Sequence, residues 1–457
     1  MSISGYEKKE FINQLNRYLS ASKPVKSIEH LFGRDNEKML IDEALSAEGR
    51  HVFLFGDRGV GKSSLAASTA SLHQSSDSDF IQVGCGPDTE FYKTIEEIAD
   101  RVIKNTYGKR INSTSHSLDF KCYKVQIESK EREINIPRVN SMYSAVDAMV
   151  EICESHSENP VIVIDEFDQI SSEKQRKLFA TYLKDIGDRG VNIKLIFTGV
   201  GLSLQNLLGD HESSFRQLHT IQVERLNWTA REQISREAIE SFGLTIDDEV
   251  VYLIAKISNG FPYFVHLLTE KILWSAFGSQ QEVDHIGFDL FDEALKKAIS
   301  SINMQLKTKY DEATLHRSDD YTEVLWACAD SESSPRKIDG LFKSYLRINS
   351  ELHGKNPPAD KMPLDRNKFR SKLGMLKKDE FGAILENPTS RAGYYAFKEN
   401  ILKGYIAMRA FEMNVELRGN EPDEPKAPTA MARNTRHRAA PKDNSFGVKF
   451  RGEAEDS

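Results

Sequence analysis

His51-Val52-Phe53-Leu54-Phe55-Gly56-Asp57-Arg58-Gly59-Val60-Gly61-Lys62-Ser63-Ser64-Leu65-Ala66-Ala67 is the stretch on which the fold turns. A short apolar run rich in β-formers stops at Gly56, glycine recurs at 59 and 61, and an alanine-rich run follows Lys62. The order is therefore strand, tight turn, helix, with Gly-x4-Gly-Lys-Ser spacing across the turn, the pattern of a phosphate loop. Glycines let backbone N–H groups converge on phosphate oxygens, and the helix directs its positive end at the same anion. Gly56, Gly59, Val60 and Gly61 are expected to line this cradle. Lys62 is expected to reach the β- and γ-phosphates and the Ser63 hydroxyl to ligate Mg²⁺, with Ser64 beside them in the first helical turn. ATP and Mg²⁺ are the expected ligands.

Outward from the loop, strands alternate with helices. Strands are expected at Phe80–Val83, Val161–Ile164 and Lys194–Thr198, and helices at Asn36–Leu45, Glu90–Lys104 and Ser144–Ser155. This alternation predicts an α/β core at 28–225, a parallel sheet with helices on both faces. Residues 117–136 instead alternate polar and apolar around a charged centre, which reads as a hairpin wet on one face, inserted at about 115–138. Ahead of the core, residues 1–27 hold a helix with Phe11, Leu15, Tyr18 and Leu19 at helical spacing, then a linker.

Beyond the core, residues 226–295 read as a helical lid. It starts with a cap and an acid in the first turn at Trp228-Thr229-Ala230-Arg231-Glu232, and Gly260-Phe261-Pro262 opens its last helix. Residues 296–415 give helices near 321–329, 336–349 and 365–376, then short strands around Phe381–Leu385 and Tyr394–Phe397. Helix, helix, hairpin is the order of a winged helix. Residues 416–457 are rich in proline and charge and are expected to be disordered.

Asp165-Glu166 follows four apolar β-branched residues, which puts both carboxylates at the C-terminal edge of a central strand, where open α/β sheets bind ligands. Asp165 is expected to hold the Mg²⁺ shell and Glu166 to polarise the attacking water. Asp168 reads as the cap of the helix that follows. Thr198 closes the next strand, either as a sensor beside the γ-phosphate or as a buried threonine bonded to backbone. Arg216, ahead of His219, suits either a finger reaching a neighbouring subunit's phosphate or an ordinary salt bridge. Lys62, Asp165, Glu166, Thr198 and Arg216 form the candidate catalytic set.

Composition limits the alternatives. Net charge is −8, so the chain is not coated with nucleic-acid-binding charge, although a local basic patch is compatible with that total. Cys85, Cys122, Cys153 and Cys328 show neither disulfide nor zinc spacing. The polar N-terminus lacks a signal peptide's apolar segment, and no apolar run approaches the roughly 20 residues of a membrane span. A cytoplasmic protein with no membrane partner is expected. Arg366, Lys368, Arg370, Lys372, Lys377 and Lys378 cluster on and after the helix at 365–376, a face suited to DNA phosphates or equally to solvent or a protein. Arg433, Arg436 and Arg438 read as part of a solubilising tail.

Phe32-Gly33-Arg34-Asp35, the phosphate loop, Asp165-Glu166-Phe167-Asp168, Thr198 and Gly260-Phe261-Pro262 together resemble the STAND and AAA+ superfamily, in particular archaeal-type and origin-recognition-like ATPases of prokaryotes. The resemblance covers roughly 28–412. It implies nucleotide-facing positions at Arg34 and Pro262 and a C-terminal winged helix closed by Gly393–Phe397 and Ile401–Arg409. Two departures stand out: Pro262 occupies the place of the usual second-sensor arginine, and the insertion lies outside the minimal core. The first favours a switch over a processive ring motor. The resemblance implies an ATP hydrolase acting as a nucleotide-controlled switch in antiviral defence or mobile-element control, with a homo-oligomer and a partner effector protein. The alternative is a DNA-binding loader or transposition regulator.

Overall fold

The computed structural model describes residues 3–19, 31–74, 80–116, 120–127, 130–156, 160–200, 217–354, 356–388 and 392–418. Arg216 and the tail from 419 onward, with Arg433, Arg436 and Arg438, lie outside them.

Helix α1 (Lys8–Tyr18) precedes α2 (Asp35–Ser46), β1 (His51–Phe55), α3 (Lys62–His73), β2 (Ile81–Gly84) and α4 (Phe91–Tyr107). Strands β3 (Ile111–His116), β4 (Phe120–Ile127) and β5 (Lys130–Pro137) follow, then α5 (Met142–His156), β6 (Val161–Asp165), α6 (Glu173–Asp188), β7 (Lys194–Gly199) and β8 (Leu218–Gln222). The central sheet has the order β2-β6-β7-β1-β8, and all its pairs are parallel. Strands buried on both faces need continuous apolar runs, which is why β1 and β6 read as they do. Alternate residues part into two cores: Val52, Leu54, Val163 and Ile196 face one way, Phe53, Ile162, Ile164 and Phe197 the other. Strand β7 lies between β1 and β6, with Leu54 beside Thr198 and Ile164 beside Phe197. The phosphate loop, Thr198 and Asp165 therefore emerge at one sheet edge.

The insertion is a three-stranded antiparallel sheet, β3-β4-β5, rather than the expected hairpin. Tyr123, Val125, Ile134 and Ile136 form its buried face and share a core with Ile95 and Ile98 of α4. The added strand β3 carries Asn112-Ser113-Thr114-Ser115, an edge sequence with no apolar alternation to betray it.

Helices α7 (Trp228–Glu240), α8 (Asp248–Ile257), α9 (Pro262–Phe277) and α10 (Phe288–Ser301) follow, with a parallel bridge between β9 (Thr245–Ile246) and β10 (His285–Ile286). The cap of α7 is Asn227, whose side chain accepts from the Ala230 N–H, one residue ahead of the expected Trp228 start. Phe11 of α1 stacks on Phe277 at 4.2 Å and meets Trp274 edge-on, fastening the N-terminal helix to these helices.

The C-terminal elements are α11 (Met304–Thr314), α12 (Asp319–Ala329), β11 (Arg336–Lys337), α13 (Ile338–His353), α14 (Arg366–Met375), β12 (Leu385–Glu386), β13 (Tyr394–Phe397) and α15 (Leu402–Glu412). The strand expected over Phe381–Leu385 is mostly absent. Residues Asp379–Phe381 make a 3-10 turn, and Gly382 and Ala383 both have positive φ (73° and 44°), which breaks an extended run until Leu385. Strand β13 pairs with both β11 and β12. One apolar core runs unbroken from Val52 and Leu54 through Phe264 and Leu295 to Tyr405 and Met408. Among the described residues no helix is long and apolar enough to cross a membrane.

His51 at the start of β1 is buried, and its Nδ1 accepts from the Leu195 N–H. Burial, then the nearby Lys194 charge, pushes its pKa from 6.5 down to about 3. Between those values the unfolded chain binds a proton that the folded chain excludes, so stability falls as pH drops below 6.5. Asn places an amide oxygen near the Nδ1 position without this titration. Urea titrations at pH 6.5 and 5.5 are expected to show wild type losing about 1 kcal/mol more than His51→Asn over that unit.

Candidate functional site

Helix α3 starts at Lys62 directly after Gly61, whose φ of 96° is left-handed, and no side chain caps the helix. Its first N–H groups are therefore open to an anion at the mouth of the loop. Glycine is required by backbone contact as well as by conformation at 56, and by its φ of 86° at 59, where the end of the Ile401 side chain lies close. A Cβ at Gly56 would lie 2.2 Å from the Val223 carbonyl oxygen, and one at Gly59 2.5 Å from Ile401 Cδ1. Ser64 lies half-buried in the first turn, and Pro262, the first residue of α9, lies 3.7 Å from where a Gly61 Cβ would stand.

The Lys62 ammonium donates to the carbonyls of Gly56 (3.0 Å) and Asp57 (2.8 Å), which holds it along the loop. Burial lowers its pKa, while Asp168, Asp57, Asp165 and Glu166 oppose that shift. Arg34 lies against the loop backbone. It is buried, donating to the Val60 carbonyl at 2.7 Å and to Glu37 at 2.9 Å, so it braces the loop from within the protein.

Asp165 is the point of convergence. Its Oδ1 accepts from the Ser63 hydroxyl (2.9 Å), the Glu166 N–H (3.1 Å) and the Thr198 hydroxyl, and its Oδ2 accepts from Gln82 Nε2 (2.9 Å). Thr198 Oγ1 in turn accepts from the Glu166 N–H at 3.0 Å. Of the two readings of Thr198, the side chain thus takes a carboxylate partner and a backbone donor together. Glu166 has φ 55°, rare for a residue with a side chain, and its carboxylate is exposed while its N–H is pinned. Asp168 does not cap α6. Ser172 does so, accepting from the Gln175 N–H, because Asp168 is held earlier, in the 3-10 turn Phe167–Gln169.

The side chains that could face a cation here, Ser63 and Asp165, offer oxygen ligands. Among the described residues no cluster of three His, Cys, Asp or Glu side chains is able to hold a metal by itself. One hydroxyl beside one carboxylate nevertheless fits Mg²⁺, which keeps waters and takes its remaining oxygens from substrate phosphates. Cys85 next to the site is buried, and burial together with Asp165, Asp168 and Glu166 pushes its thiol up to about 12, so it is no nucleophile at neutral pH.

Several contacting residues carry no motif. The Asp57 carboxylate accepts from Asn400 Nδ2 at 3.0 Å and lies 3.5 Å from Arg225. Arg225 continues to Asn259 Oδ1 at 2.5 Å and the Glu332 carbonyl at 3.2 Å, and Arg231 grips the Glu332 carboxylate at 2.6 and 3.1 Å. On α14 the basic face is partly neutralised: Arg366 pairs with Asp339, Lys372 with Asp320 at 3.3 Å, and Lys368 lies 3.9 Å from Asp365. Lys377 donates to Asn387, and Lys378 lies 3.8 Å from Glu380.

The family model described as AAA ATPase domain matches residues 30–196, the segment that holds the loop, Asp165 and Glu166. Over that segment the chain is similar to the AAA ATPase domain, which supports ATP hydrolysis at this phosphate loop. Similar solved structures include a Walker-type ATPase of Pyrococcus abyssi (17% identity, 84% of this chain and 98% of that one, TM-score 0.49) and the ORC2 protein of Aeropyrum pernix in ADPNP-ADP complexes (12%, 87% and 98%, TM-score 0.45). The RuvB Holliday junction branch migration motor of Thermotoga maritima is another (14%, 88% and 99%, TM-score 0.42). No match is found among curated proteins.

Replacing Arg34 by Met leaves the buried Val60 carbonyl without its donor. The unfolding free energy of Arg34→Met, from urea titration, is expected to fall by about 1–3 kcal/mol.

Proposed function

We propose that this chain is a Mg²⁺-dependent ATP hydrolase working as a nucleotide-controlled switch, in which the state of the phosphate loop is transmitted to a C-terminal winged-helix-like unit. The contact of that unit with the loop carries the reading. Ile401 packs on Gly59 and Asn400 bonds Asp57, so two loop residues touch the nucleotide's place on one side and the start of α15 on the other. Arg225, Arg231 and Glu332 extend the link across the lid. Asn400 Oδ1 is buried with no partner among the described residues. A change in the loop is expected to shift the docking of this unit.

In this scheme Lys62 leaves the Gly56 and Asp57 carbonyls for phosphate oxygens, and the first N–H groups of α3 complete the cradle. Ser63 and Asp165 would hold Mg²⁺, which supplies electrostatic relief to the phosphates. The exposed Glu166 carboxylate orients and polarises the attacking water, held at a fixed height by its N–H bonds to Asp165 and Thr198. Pro262 beside Gly61 closes the nucleotide's lid side. A homo-oligomer with Arg216 reaching a neighbour's phosphate, a separate effector protein, a cytoplasmic setting and a role in antiviral defence or mobile-element control complete the reading. The alternative, a DNA-binding loader or transposition regulator, is supported by the exposed Arg370 and Lys368 of α14. Duplex DNA bound at low salt and shed steeply as salt rises would favour it.

Glu166→Gln is expected to lower kcat by about 100-fold or more while nucleotide stays bound, and Lys62→Ala to lose nucleotide affinity. Wild-type turnover in both would remove the site from hydrolysis. For the switch, spin labels at the exposed positions Leu72 and Met413 are expected to report different distances with ADP and with a non-hydrolysable ATP analogue. Asn400→Ala combined with Ile401→Ala should abolish that difference with nucleotide affinity retained. Identical distances in the wild type would overturn the switch.

A further inference from the structure

Gln82 lies on β2 beside Val163 of β6, and Gly84 lies beside Asp165. Paired residues of parallel strands share a face, so Gln82 and Asp165 point the same way, two positions apart along the sheet. Gly84 carries no side chain to stand between them. The Gln82 amide crosses that space and donates from Nε2 to Asp165 Oδ2 at 2.9 Å. The division of labour around the carboxylate is uneven. Oδ1 takes three donors, from Ser63, Glu166 and Thr198, and has no room for more. Oδ2 receives Gln82, and this bond, together with those on Oδ1, sets the angle of the carboxylate about its Cβ–Cγ axis. Gln82 is itself anchored, since Arg101 of α4 donates to its backbone carbonyl and pairs with Glu97.

We infer that Gln82 is a positioning residue for metal–nucleotide binding, holding the Asp165 carboxylate in the orientation that receives the Mg²⁺ shell. The inference rests on the magnesium reading of Ser63 and Asp165 given above. Gln82 touches neither nucleotide nor reacting atoms; it acts through Oδ2. Without that bond Oδ1 keeps its three donors but Oδ2 loses Gln82, so the carboxylate pivots about Oδ1 and no longer meets the Mg²⁺ shell at a set angle, which weakens metal binding as loss of an outer hydrogen-bond partner does in metal sites generally.

The test uses the full chain with Mn²⁺ in place of Mg²⁺ and ADP as the nucleotide, and reads bound Mn²⁺ by electron paramagnetic resonance. Gln82→Met keeps the length of the side chain and removes the donor, and Gln82→Leu serves as a second variant should Met misfold. Mn²⁺ affinity of the ADP-bound protein is expected to fall about 10-fold. ADP affinity in EDTA should stay at the wild-type value, which separates positioning of the metal shell from a general loss of the nucleotide site. Asp165→Asn is the control. If it loses Mn²⁺ while Gln82→Met and Gln82→Leu bind it like wild type, the assignment of Gln82 is overturned. If Asp165→Asn itself binds Mn²⁺ like wild type, the metal reading on which the assignment rests has failed instead.

Discussion

One carboxylate oxygen, Asp165 Oδ1, gathers donors from three places: Ser63 in the first turn of α3, Thr198 at the end of β7, and the N–H of Glu166 just past β6. Because Asp165 is 8% exposed, those bonds form largely out of water, and a donor removed there leaves a carboxylate poorly solvated. The arrangement depends on the sheet order. With β7 between β1 and β6, the three strand ends lie at neighbouring positions along one edge, so side chains separated by 102 and 33 positions in the chain reach the same atom. Glu166 accepts an unfavourable left-handed backbone as a consequence, its N–H being held by two of the same groups.

The phosphate loop is constrained from several sides at once. Arg34 bonds the Val60 carbonyl, the Val223 carbonyl closes on Gly56, Pro262 lies by Gly61, and Ile401 and Asn400 meet Gly59 and Asp57. The elements supplying these contacts come from the start of the core, the end of the sheet, the lid and the C-terminal unit. They share one apolar core, and close-packed interiors transmit displacement rather than absorb it. A loop held in this way cannot rearrange without moving its neighbours. That property, more than the loop itself, supports the proposed switch.

The local parts of this site were legible from residue order. Gly56, Gly59 and Gly61 take positive φ, the apolar runs at β1, β6 and β7 are buried parallel strands, and Asp165 ends a strand, because each of these follows from neighbours within a few positions. Small local errors had equally local causes: Ser172 and Asn227 outcompeted nearby candidates as caps, and Gly382-Ala383 interrupted an extended run. Strand β3 escaped notice because an edge strand needs only one hydrogen-bonded side and no apolar face of its own.

The sequence by itself determined the phosphate loop, the carboxylate pair and the α/β alternation, since glycine conformation, strand burial and helix periodicity are encoded within one or two turns of chain. Only the tertiary structure decided that Gln82 holds Asp165, that Arg34 faces the loop backbone, and that Asn400 bonds Asp57 across 343 positions. Periodicity says which face of an element is apolar but not which other face it meets, so a hydrogen bond between distant elements exists only once their packing has brought donor and acceptor within reach.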